Sequence, residues 1–97
     1  MPQAIWHNAV IAESDDIELV EGNAYFPIAS VKMDHLHEST ATLLTYCHWK
    51  GIAYYYDISV DGDVNVGAAW TYRTPYTVSR VIIDHIAFWN GVEVTKD

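Results

Sequence analysis

The sequence predicts a mainly β fold, a small antiparallel barrel or tent-like sandwich with one short helix near 75–84. Three observations carry the prediction. Short runs rich in Val, Ile, Thr and Tyr are separated by turn residues, and an Asp61-Gly62 pair divides two long apolar stretches. Thr74-Pro75 is the one convincing helix start, with Thr74 as cap and Pro75 at the first helical position. At 97 residues the chain can close one modest core, so residues 1–97 are read as a single domain.

Taken in order, residues 4–6, 10–12, 17–21 and 24–26 read as strands of a meander. Asn8-Ala9, Ser14-Asp15-Asp16 and Gly22-Asn23 supply its turns. Alternation within 17–21 leaves Glu18 wet and assigns Ile17 and Leu19 to the core. Glu21 shares the face of that apolar pair and therefore needs a partner or a ligand. Pro27 ends the strand, and 28–31 forms one short turn. Residues 42–46 and 52–60 are strands, with residue 64 onward pairing back across Asp61-Gly62. Val78, Val81 and Ile82 make the apolar stripe of the expected helix, and strands 86–89 and 92–94 close the chain around Asn90-Gly91.

Apolar residues make up 51% of the chain and aromatics 13%, which calls for a packed core. The net charge of −8 repels a phosphate backbone, so no nucleic-acid partner is expected, while a small phosphorylated ligand held by backbone N–H groups or one lysine stays open. No apolar run approaches the roughly 20 residues of a membrane span, and the N-terminus has no signal-peptide pattern. No membrane partner is expected, and the cytoplasm is the default location. Cys47 is the only cysteine, so no intrachain disulfide forms, in keeping with a reducing compartment.

Chemistry concentrates in Cys47-His48-Trp49-Lys50-Gly51. A basic residue three positions beyond the thiol favours a thiolate, although a small buried hydrophobe explains Cys47 better. Lys50, placed just before a glycine between two apolar strands, can bring an ammonium to a pocket that a ligand reaches along the backbone. His35 and His37 share a face and would need Cys47 and His48 to complete a zinc site. The spacing fits no standard pattern, and no metal is expected. Glu21, Asp57 and Asp84 are the acid–base candidates, with surface placement favoured for both aspartates. Trp70 and Tyr72, two apart on a strand, make one aromatic wall.

Several pieces together resemble the family called domain of unknown function 427, also labelled nucleotidyltransferase-like. They are Ala12-Glu13-Ser14; Glu21 with Tyr25-Phe26-Pro27; Cys47 with Lys50-Gly51 and Ala53-Tyr54-Tyr55; Ala69-Trp70 with Tyr72 and Pro75; and Ala87-Phe88. The resemblance spans nearly the whole chain and implies a compact, mostly β fold of barrel or tent type. It implies no particular reaction. The sequence has no Gly-rich phosphate loop and no aspartates paired at metal spacing, so nucleotidyl transfer is not adopted as the function. One position departs from the family pattern: His48 stands where a proline usually follows the cysteine, which exchanges a fixed backbone for a titratable ring.

The leading expectation is a domain that binds a small molecule in a pocket lined by Glu21, Tyr25, Lys50, Trp70 and Tyr72, with Glu21 and Lys50 supplying opposite charges. One alternative is a non-catalytic protein-interaction or homodimerisation module. Another is an enzyme or redox sensor using Cys47 as nucleophile with His48 as base. No cofactor is named by the sequence, and whether the chain is an enzyme stays open.

Overall fold

Turn chemistry sets the order of the strands. In chain order they are β1 (Gln3–Trp6), β2 (Ala9–Glu13), β3 (Glu18–Val20), β4 (Asn23–Pro27), β5 (Leu36–Glu38), β6 (Thr45–Cys47), β7 (Gly51–Val60), β8 (Asp63–Tyr72), β9 (His85–Phe88) and β10 (Glu93–Thr95). The computed structural model describes residues 1–41 and 44–96. His7 and Asn8 join β1 to β2 at φ 54° and 62°, and Asp61 and Gly62 join β7 to β8 at 53° and 84°. Positive φ at both central positions matches the twist of a tight hairpin. Asn90 and Gly91, at 53° and 95°, turn the chain from β9 toward β10 in the same way.

These strands form two antiparallel sheets, a three-stranded one in the order β10-β1-β2 and a seven-stranded one in the order β3-β4-β9-β8-β7-β5, with β6 also on β7. The mainly β, antiparallel expectation holds. The sheets remain open and do not close into a barrel, because β3 ends one side of the large sheet and β5 and β6 share the other. Ala4 and Ala12 from the small sheet and Ala24, Ala68 and Ala69 from the large one are buried in one core, where short side chains let the layers approach. Phe26 and Phe88, edge to face at 5.8 Å, fill the middle with Ile11, Ile58 and Ile86.

A second, smaller cluster lies on the opposite face of the large sheet, where Tyr25, Ala53, Tyr72 and Ala87 are covered by Ile82. Ile82 comes from a 3-10 segment, Thr77–Ile82, which replaces the expected helix near 75–84. Tyr76 precedes it as the cap residue, without a side-chain capping bond, so Thr74 does not act as the cap. β-branched Thr77, Val81 and Ile82 weaken helix propensity, and a segment of six residues is far shorter than an α-helix that holds by itself. The side chain of Val78 lies outside the described residues, as do Thr42 and Leu43 of the expected 42–46 strand, whose described part is β6.

Leu19 departs from its expected core position and is 60% exposed, since β3 is an edge strand. Ile17 does pack on the main cluster. No helix among the described residues is long and apolar enough to cross a membrane.

Candidate functional site

Pairing across the large sheet aligns Tyr25 with Ala87, Ala87 with Trp70, and Trp70 with Tyr55, a row over β4, β9, β8 and β7. Directly opposed residues share a face, so this row and the adjacent Ala53–Tyr72 pair form the outer aromatic surface. The alignment depends on an irregularity in the long hairpin. Ile58 faces Asn65 whereas Tyr56 faces Ala69, so Asp57 stands against Val66, Gly67 and Ala68 together. Gly67 takes a left-handed φ of 66°, and its N–H donates to Asp57 Oδ1 at 2.8 Å. Trp89 grips the same bulge: its backbone N–H donates to Ala68 O at 3.0 Å and its indole Nε1 to Gly67 O at 2.7 Å.

Lys50 enters from the turn between β6 and β7. Its carbonyl accepts from the Tyr76 N–H at 3.2 Å, and Gly51 takes a φ of 107°. That backbone conformation is strained for any residue with a side chain, which explains a glycine after the lysine. Held in this way, Lys50 is only 6% exposed, and its ammonium hydrogen-bonds Glu21 Oε1 while lying 5.2 Å from the Trp49 ring centroid and 5.4 Å from that of Tyr72. Glu21 occupies the β3–β4 turn at φ 54°, with its side chain half exposed to water.

The charge states follow from this packing. Burial works to lower the Lys50 pKa, but the hydrogen bond to Glu21 and the charge of that carboxylate outweigh it and hold the ammonium above its usual range. The same hydrogen bond, aided by the Lys50 charge and the Trp49 indole, outweighs partial desolvation and keeps the Glu21 carboxyl below its ordinary value. Burial pushes the phenols of Tyr25 and Tyr72 up, so both stay neutral. A lysine kept protonated is a poor nucleophile and a good anchor for an anion.

Between these side chains a cavity of about 190 Å³ is lined by Lys50, Tyr55, Trp70, Tyr72 and Trp89. Tyr25 lies beneath it, fully buried, and its hydroxyl accepts from the Trp70 indole at 3.3 Å. Trp70 meets both Tyr25 and Trp89 edge to face, at 6.1 and 6.2 Å. A family model described as Domain of unknown function (DUF427) matches residues 2–97. The chain belongs to this family. No curated protein matches it.

In this DUF427 domain the structure thus brings together Glu21, Tyr25, Lys50, Trp70 and Tyr72, the five residues singled out in the sequence. Cys47, half-buried, packs against the same outer cluster, and His48 is exposed in the adjoining turn. His35 and His37 lie elsewhere, bonded to Ser59 O at 2.9 Å and Ser59 Oγ at 2.8 Å near the far end of β7, while Cys47 pairs with Gly51 at its start. Among the described residues no cluster of three or more His, Cys, Asp or Glu is placed to hold a metal ion. Asp57 holds the Gly67 bulge, and Asp84 sits exposed in a turn at φ 57°. Sequence reasoning missed Trp49, Tyr55 and Trp89. Trp49 belongs to the chemically dense segment around Cys47, but Tyr55 and Trp89 reach the cavity through a bulge with no strong signature.

Proposed function

We propose that this domain binds a small organic molecule in the outer-face cavity, with Lys50 as charged anchor and the aromatic rings as walls. The observation that carries the reading is a nearly buried lysine that opens onto a cavity otherwise lined by aromatic rings. Replacing a buried ion pair by packed apolar side chains is commonly neutral or stabilising, so packing alone supplies no reason for a lysine here. Few polar groups converging in an aromatic concavity is the usual build of a ligand site. A cytoplasmic setting, where the lone thiol of Cys47 stays reduced, completes the proposal.

The test is a thermal-shift screen of wild-type protein and Lys50→Met against nucleotides, phosphosugars, organic acids and divalent metals. A ligand at 100 times its Kd adds about 2.7 kcal/mol and raises the melting temperature by several degrees. The expected outcome is a stabilising compound whose effect disappears in the variant. A panel without effect on the wild type would sink the reading.

A separate observation favours a second reading, a protein-interaction or homodimerisation module. On the short edge strand β6, Tyr46 faces Ile52 of β7; they are 66% and 43% exposed, and exposed Leu44 and Tyr76 add to the apolar surface. Light scattering across a concentration series checks it, since a strictly monomeric protein removes the homodimer.

A further inference from the structure

Resting on the small-molecule reading above, we infer that the cavity takes a planar aromatic monocarboxylate whose carboxylate replaces Glu21 on Lys50. The first argument is the state of the donors. The indole N–H of Trp70 is given to Tyr25, that of Trp89 to Gly67 O, and the Tyr55 hydroxyl is hydrogen-bonded to Thr45 Oγ1 at 2.9 Å. With those three donors engaged, the walls offer a ligand chiefly π-faces and edges beside the single hydroxyl of Tyr72, so a sugar or polyol would bury most of its hydroxyls without partners.

Charge gives the second argument. Among the described residues, Lys50 is the only charged one lining the cavity, and an ammonium carries three N–H donors. A single carboxylate matches that supply, whereas a phosphate dianion would bring two charges to one ammonium within a protein of net charge −8.

Size is the third. About 190 Å³ corresponds to roughly six waters at 30 Å³ each and lies below the roughly 300 Å³ at which drug-sized sites begin. One ring and its carboxylate fit that space; a nucleotide does not.

Glu21 explains how the pocket stays stable when empty. Its carboxylate already makes the contact that the ligand would make, yet its side chain is half exposed and sits on a turn. Released, it returns to water, while Lys50 never lacks a counter-charge. Glu21 is therefore a built-in competitor of the ligand.

The experiment follows benzoate binding at pH 7 by the two-dimensional NMR signals of the four indole N–H groups, with cyclohexanecarboxylate, benzamide and acetate as controls. Benzoate is expected to shift the Trp70 and Trp89 signals saturably, with each control at least about tenfold weaker, since loss of a charge-assisted hydrogen bond or of a stacked ring amounts to about that factor. Lys50→Met should abolish saturation while the spectrum stays dispersed, and Glu21→Gln, folded by the same criterion, should bind benzoate about threefold to tenfold more tightly. Weaker binding in Glu21→Gln would overturn the displacement, and equal binding of benzamide would overturn the carboxylate. Silence toward benzoate, with another compound class moving these signals in a Lys50-dependent way, would overturn this inference and leave the small-molecule reading standing. Silence toward every class removes both.

Discussion

On the inner face of the seven-stranded sheet, Phe26, Ile86, Phe88 and Ala69 are buried with side chains of the three-stranded sheet. One residue along the same strands, on the outer face, Tyr25, Ala87 and Trp70 lead to Tyr55 and Lys50. The inner cluster consists of apolar residues, and its loss is felt as stability. The outer face places an ammonium where apolar packing would hold at least as well, and it keeps a cavity beside it. The two-residue alternation of its strands thus gives one sheet an apolar core on its inner face and, on its outer face, a smaller buried cluster beside a lysine and a cavity.

That division breaks or sharpens under substitution. The largest effect belongs to the inner face: Phe26→Ala should lose about 3–5 kcal/mol of unfolding free energy in a urea titration, and a loss below about 1 kcal/mol would show that the inner cluster is not what holds the layers together. Asp57→Ala comes next because it touches both faces. Leaving the Gly67 N–H without its acceptor should cost about 1–3 kcal/mol. It should also displace the Trp89 indole signal in an NMR spectrum, since Trp89 is tied to Gly67 and Ala68. An unmoved Trp89 signal would separate the bulge from the site.

The smallest effect is one of pH. The Glu21 carboxyl is held below its ordinary value of 4.5, so the folded protein binds that proton less readily than the unfolded chain does. Its contribution is present above pH 4.5 and disappears as pH falls through the lowered value. Glu21→Gln should therefore flatten part of the acid limb of a stability–pH curve while leaving neutral-pH stability lower, because Lys50 then lacks its counter-charge. A variant curve parallel to that of the wild type would deny the ion pair any weight. Solvent and salt screen a half-exposed carboxylate, which is why this effect ranks last.

Much of the fold was legible because turn residues announce themselves. Asn8, Asp61-Gly62 and Asn90-Gly91 adopt the positive φ that their types favour, and the strands beside them form accordingly. β5 was not legible, since Leu36-His37-Glu38 lacks a β-rich pattern and is recruited by pairing with the far half of β7. Nor was the 3-10 form of Thr77–Ile82, because a proline after a cap-type residue signals a helix start without setting how tightly the next turns wind. At the site, Lys50 could be found because a lysine before a glycine asks for an explanation, whereas Glu21 was singled out for a place on the core face of a strand and stands instead, half exposed, in the turn after β3. Tyr55 could not be found, because a plain two-residue hairpin at Asp61-Gly62 sets it against Ala68, and only the bulge at Gly67 carries Trp70 to it.

The pairing of β1 with β10 sets Gln3 beside Thr95, and the Gln3 N–H donates to Thr95 Oγ1 at 2.9 Å. The polypeptide therefore arrives and departs through one doorway, with partner Cα atoms about 5 Å apart in such a ladder. Geometry of that kind lets a domain be spliced into a surface loop of a host protein as a cassette, or have its ends sewn together and a new opening cut at the exposed Asp61-Gly62 tip, without disturbing the aromatic face.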